Sequence, residues 1–438
     1  MEQPGWIDAP RASLAQWDAL ARLARDVRRD GLTRVVVCGM GGSSLVAEVL
    51  RTSFTTASLS VLDSTDPAAV LAVERAPGLD RTLFLISSKS GTTVETLAAY
   101  HYFAARCRGS QFVAITAPGT PLDALGRARG FRAVVPHPPG VGGRYAALTS
   151  VGMLPAALIG ADGPALLERA LAVDVARAKA LGARIAAAAL AGRDKLGLRP
   201  PPPVASVAAW IEQLVAESTG KNGRGVIPVV DDPLPAPRAD TELVAEFSAE
   251  PLDLGAAFYT WEYATWELCT RLGVNAFDQP DVEEAKALAR AELARADGGA
   301  DEPLATLTPA ALRRAARPGD YVAFLAYLPP TPDIAARLQA VRATWAQALG
   351  CATTVGFGPR YLHSTGQLHK GGPNTGLFLV VTTDDAEDAP VPELGVTFGR
   401  LKRAQARGDI RALLARGRRV AHVHLTRPQA VSDLAIAQ

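Results

Sequence analysis

The feature that most constrains this chain is an alternation. Short β-branched or aliphatic runs each end in glycine or hydroxyl residues and pass into a segment of helical period. Arg34 to Met40 (RVVVCGM) is such a run, followed by a helical pattern through Leu45, Val49 and Leu50. Thr82 to Ser87 (TLFLIS) leads through a polar loop into a helix with Val94, Leu97, Ala98 and His101 on one face. Phe112 to Thr116 and Ala133 to Val135 continue the series. Runs apolar at every position suit strands buried on both faces, and this strand–helix spacing predicts parallel βαβ units.

Ala165 to Ala191 is alanine-rich with no proline and predicts one long helix, and Gly192 to Pro203, ending in four prolines, then breaks the chain. A second alternating set follows at Val226 to Val230, Tyr321 to Tyr327, Ala352 to Phe357, Gly376 to Thr382 and Val420 to Leu425. The expected fold class is α/β, with two doubly wound domains of mostly parallel sheets flanked by helices. The first covers residues 1–165, and the second, 166–438, includes the linking helix and a C-terminal segment.

Composition removes other classes. At 48% apolar and 21% charged the chain is ordinary globular protein, and a net charge of +2 offers no basic excess for nucleic acid or an anionic membrane surface. No run approaches the ~18 apolar residues of a spanning helix, and the N-terminal residues do not resemble a signal peptide. The four cysteines form no C-x-x-C pair. A cytoplasmic protein is the expectation.

Two loops stand at the carboxyl ends of candidate strands, where open α/β sheets bind ligands. The first, Cys38-Gly39-Met40-Gly41-Gly42-Ser43-Ser44, lets a ligand approach backbone at Gly41 and Gly42, with Ser43 beside them. The second, Ser87-Ser88-Lys89-Ser90-Gly91-Thr92-Thr93, carries five hydroxyls ahead of a helix. Capping uses one hydroxyl; Ser88, Ser90, Thr92 and Thr93 together with Lys89 suggest a small phosphate cup. Neither a dinucleotide fingerprint nor a P-loop is present.

GMGGSS followed by SSKSGTTVET resembles the phosphoglucose isomerase family, whose fold is the sugar-isomerase (SIS) fold. Gly142-Gly143-Arg144-Tyr145, Ala216-Glu217-Ser218-Thr219-Gly220-Lys221 and Phe277-Asp278-Gln279-Pro280 running on to Lys286 extend the likeness. Tyr361 to Pro373 (YLHSTGQLHKGGP) is most similar to the isomerase half of bifunctional transaldolase/phosphoglucose isomerases. The resemblance implies reversible conversion of glucose 6-phosphate to fructose 6-phosphate, a homodimer, and a possible association with transaldolase. Neighbouring readings are an isomerase that also accepts mannose 6-phosphate and a non-catalytic sugar-phosphate sensor.

Moving a proton between adjacent carbons through an enediolate needs a base, a fixed cation for the oxyanion and an acid/base group to open the ring. Glu217 suits the base: Trp210, Ile211, Leu214 and Val215 set a helical period, and Gly220 can end the helix as a left-handed cap. The carboxylate then sits at the negative end of the dipole, which favours taking up a proton. By the resemblance Arg144 faces the enediolate, Lys286 contacts the ring oxygen or leaving hydroxyl, and Gln279 backs the phosphate. The segment between the glutamate and FDQP motifs, where ordinary members carry a histidine, has none here. His363 and His369 are the candidates for a relocated imidazole, and the glycine-rich setting of His369 favours it. No cofactor and no metal are expected, because an enediol route needs neither.

Overall fold

The computed structural model describes residues 4–235, 238–294 and 303–436. Its first sheet contains β1 (Arg34–Gly39), β2 (Leu59–Leu62), β3 (Thr82–Ser87), β4 (Phe112–Thr116) and β5 (Ala133–Pro136), ordered β2-β1-β3-β4-β5 with every pairing parallel. Helices cover both faces, so β3 and β4 are buried along their whole length. That explains the unbroken apolar runs. β2 was not anticipated: Leu-Ser-Val-Leu buries only its two leucines, too weak a pattern to stand out.

A three-stranded parallel sheet follows, ordered β7-β6-β8 from β6 (Lys195–Leu198), β7 (Ile227–Val230) and β8 (Thr241–Val244). β6 lies inside the stretch expected only to break the chain. It begins with a buried lysine, whose ammonium meets Asp194 Oδ1 at 2.7 Å and the Gly319 carbonyl. The expected single helix over 165–191 is two, Gly163–Leu171 and Val175–Leu190, because Asp174 accepts from the amides of Ala176 and Arg177 and starts a new helix. A capping carboxylate outweighs the alanine propensity around it.

The third sheet holds β9 (Tyr321–Tyr327), β10 (Ala352–Phe357) and β11 (Gly376–Thr383); the small antiparallel pair β12 (Pro390–Val391) and β13 (Val396–Thr397) precedes its last strand, β14 (Arg419–Leu425). Its order is β10-β9-β11-β14, again all parallel. One apolar core joins Val35 and Leu83 of the first sheet to Leu166, Trp210, Leu214 and Phe258. Trp6, 1% exposed, stacks on Tyr145 at 5.4 Å between centroids and meets Tyr263 edge-on at 4.8 Å. Such pairs contribute about 0.5–1.5 kcal/mol each beyond burial and hold the backbone next to Arg144. Among the described residues no helix is long and apolar enough to cross a membrane.

Candidate active site

β1 and β3 are neighbours whose following helices leave on opposite sides, so a crevice opens at their carboxyl ends. It holds a cavity of about 410 Å³ lined by Gly42, Ser43, Ser88, Lys89, Ser90 and Thr93 from the two loops and by Arg144, Glu217, Gln279, Lys286 and His363 from elsewhere. The loops pack without slack. A Cβ on Gly42 would lie 2.0 Å from the Gly143 carbonyl oxygen, and one on Gly41, at φ +57°, would lie 2.5 Å from that of His363.

In the second loop Ser88 Oγ lies 2.9 Å from Thr93 Oγ1, and Ser90 Oγ 2.9 Å from Thr92 Oγ1. Ser87 Oγ is buried at the cavity wall with no hydrogen-bond partner among the described residues. Burial, aided by the Arg144 guanidinium, pushes the Lys89 ammonium below its ordinary range.

Glu217 and Arg144 are the buried pair of the crevice. Arg144 Nη1 stands 3.2 Å from Glu217 Oε1; its other nitrogens donate to Ser218 Oγ at 2.8 Å and the Ala276 carbonyl at 2.5 Å. Gln213, one turn earlier on the Val207–Thr219 helix, donates to Glu217 Oε2 at 2.9 Å and to the His363 carbonyl at 2.8 Å. Both carboxylate oxygens are therefore fixed. Gly220 ends that helix at φ −73°, so the expected left-handed cap is absent. Close packing calls for the glycine instead, since a Cβ there would sit 2.3 Å from Leu368 Cα.

The histidines exchange places relative to expectation. His363, in the turn Arg360–His363 after β10, lines the cavity, and its Nε2 lies 2.9 Å from Oε1 of buried Glu95. The same Glu95 oxygen accepts from Gln405 Nε2 at 2.7 Å. Burial opposes Glu95 ionisation, but His363 outweighs it and holds the carboxyl below its ordinary range. His369 lies outside the cavity, 3% exposed against Phe378 and Tyr361 with Nδ1 unpartnered, and burial drives its pKa far down. Apolar surroundings disfavour the charged form that a proton carrier must adopt.

The remaining expected residues divide. Gln279 lines the cavity. Lys286 does so from the mouth, half exposed and paired with Glu283 at 2.7 Å. Gly41 and Thr92 do not line the cavity: Gly41 packs against the His363 backbone, and Thr92 is exposed beside Ser90. Glu95 and Gln213 were not anticipated as site residues, although Glu95 belongs to the SGTTVET segment and Gln213 precedes Glu217 by one helical turn. Among the described residues no group of His, Cys, Asp and Glu could hold a metal ion.

Residues 26–181 match the family model described as phosphoglucose isomerase. Over those residues the chain is similar to the phosphoglucose isomerase family. It is 36% identical over 217 residues to the glucose-6-phosphate isomerase of Rippkaea orientalis, covering 43% of this chain and 40% of that protein. It is 35% identical over 211 residues to a probable glucose-6-phosphate isomerase of Haloarcula marismortui, covering 44% of this chain and 48% of that one. The matched part thus spans less than half the length of these relatives. The crystal structure of a glucose-6-phosphate isomerase from Chlamydia trachomatis superposes with a TM-score of 0.52 at 19% identity, covering 64% of this chain and 74% of that one, which shows a shared fold.

Proposed function

We propose that this chain interconverts glucose 6-phosphate and fructose 6-phosphate through an enediolate, with Glu217 as the base. The observation that carries the reading is the buried Arg144–Glu217 pair, which shares one cavity with the hydroxyl cup of Ser88, Ser90 and Thr93. The cup and Lys89 take the substrate phosphate with hydroxyl and ammonium donors, so the chain needs no basic excess. Glu217 removes the proton from C2 of the open aldose and returns it to C1. Arg144, unable to lose its proton, stabilises the oxyanion between. His363, backed by Glu95, moves the ring-opening proton, and Lys286 at the mouth assists at the ring oxygen.

All of these groups come from one chain, so the reading requires neither a second copy nor a transaldolase subunit to complete the site. A homodimer remains part of the proposal through the family likeness, and light scattering of the purified protein tests it.

Protein given fructose 6-phosphate should release glucose 6-phosphate, detected by a coupled dehydrogenase that reduces NADP. Glu217→Gln should lose most turnover while still binding sorbitol 6-phosphate, which has no carbonyl to isomerise. Full activity in that variant would remove Glu217 from the role.

A further inference from the structure

The third sheet repeats the winding of the first. In the order β2-β1-β3-β4-β5 the reversal falls between β1 and β3, and the cavity described above opens there against Met40 and Ser87. In the order β10-β9-β11-β14 it falls between β9 and β11. At the carboxyl ends of those strands lies a separate cavity of about 370 Å³, walled by Tyr327 of β9, Thr382 and Thr383 of β11, and His422 and His424 of β14. The Phe398–Ala415 helix closes it with Lys402, Arg403 and Ala406. The size is that of small-molecule sites, and the position is where an open α/β sheet binds ligands.

We propose that this second crevice binds a small polyhydroxylated phosphate monoester. The floor is polar and already balanced: Lys402, 4% exposed, meets Asp66 Oδ2 at 2.9 Å and also Asp385. The rim carries further polar groups. Thr382 Oγ1 lies 2.9 Å from His422 Nε2 and 3.0 Å from His424 Nδ1. One hydroxyl has one proton, so at least one imidazole must present an N–H to it, and Thr382, His422 and His424 form one connected polar group on the crevice wall. Arg403, exposed beside them, has no ion pair among the described residues. Arg407, in contrast, is held by Glu292 at 3.0 Å.

The helix amides do not supply the anion site, because Asp388 accepts from the Gly399 amide and Thr397 from that of Arg400. The phosphate must therefore meet side chains, Arg403 and the Thr382–imidazole group. Asp384 and Asp385 remain as acceptors for sugar hydroxyls; a purely anionic ligand would be repelled by them. Both signs on one wall fit a ligand with a charged head and a hydroxylated body.

The test is calorimetric titration of the full chain with sorbitol 6-phosphate. Wild-type protein should show two binding events. Lys89→Met should remove one and leave the other. Arg403→Gln and Thr382→Val should each weaken the other at least tenfold and spare the first; exposed Arg403 makes a folding failure easy to exclude by an unchanged melting temperature. Gluconate, with hydroxyls and a carboxylate but no phosphate, should bind the second crevice at least tenfold more weakly. A single event lost in Lys89→Met, a second event indifferent to both substitutions, or equal affinity for gluconate would each overturn the proposal. Failure of the isomerase reading looks different: both events persist, but fructose 6-phosphate is not turned over.

Discussion

Replacing Gly42 by alanine tests how closely the loops of the first crevice are locked together. Gly42 opens the Gly42–Ser53 helix, where an alanine backbone is acceptable, so the substitution probes space and not conformation. The new Cβ would lie 2.0 Å from the Gly143 oxygen, 2.3 Å from its carbonyl carbon and 2.8 Å from the Arg144 amide. All three are backbone atoms, which no side-chain rotation relieves. Restoring an ordinary 3.4 Å contact requires the loops to separate by about 1.4 Å, and Arg144 moves with them. A displacement of ~1 Å at a reacting group costs on the order of 100-fold in rate, or about 2.7 kcal/mol. Overpacking should also destabilise the fold by about 1–3 kcal/mol. Gly142→Ala is the control: φ is −70° and nothing lies within 4 Å of its added methyl, so activity and melting temperature should stay near wild type. The assays are coupled turnover of fructose 6-phosphate and thermal unfolding. Gly42→Ala within twofold of wild type, or Gly142→Ala equally damaged, would refute the argument.

Gln405→Leu removes the amide that donates to Glu95 and should lower kcat about tenfold with KM unchanged, ~1.4 kcal/mol for one buried hydrogen bond to a charged group; an equal rise in KM would instead indicate damage to substrate binding. Lys370→Met strips the cation from Asp409, 2.5 Å away with both side chains 1% exposed, and should cost about 3–5 kcal/mol in denaturant unfolding, with Asp409→Asn added to it recovering part. His363→Asn should abolish ring-opening activity while His369→Phe retains it, measured on the cyclic substrate. His369→Phe also has a pH signature. A histidine whose folded pKa is depressed stabilises the fold above about pH 6.5 and loses that contribution as pH falls towards the folded value, so the variant's stability should decline less steeply below pH 6.5, by up to ~1.4 kcal/mol per pH unit. His137, held down to about 4 by burial, keeps some of the slope in both proteins.

The parts of the fold that were legible are those where a single physical demand dominates. β3 and β9 are buried on both faces, so the interior of each is apolar and their ends agree with the sequence reading. β6 was hidden because a lysine and a glycine stand in it, the lysine satisfied by the carboxylate of its neighbour Asp194 and by the carbonyl of Gly319 far along the chain. In the site, hydroxyl density marked the loop of Ser88, Ser90 and Thr93 that lines the cavity. Glu95 and Gln213 escaped notice because polar residues on helices are ordinarily solvated; only tertiary packing turns them inward. His369, preferred from its glycine-rich setting, lies outside the cavity, and the glycines have another use. Its neighbouring glycines serve close packing, since a Cβ on Gly371 would lie 2.2 Å from Asp281 Oδ2 and 2.6 Å from the Gly220 carbonyl oxygen. A glycine-rich segment at a ligand and one at a tight core contact look alike in sequence.

The proposed function stands on Glu217 moving the proton. Isomerisation of fructose 6-phosphate in deuterium oxide, followed by NMR of the glucose 6-phosphate formed, tests it most directly. Wild-type protein should give deuterium at C2, with both isomerisation and label lost in Glu217→Gln while sorbitol 6-phosphate still binds. Labelled glucose 6-phosphate formed by Glu217→Gln at the wild-type rate would contradict it.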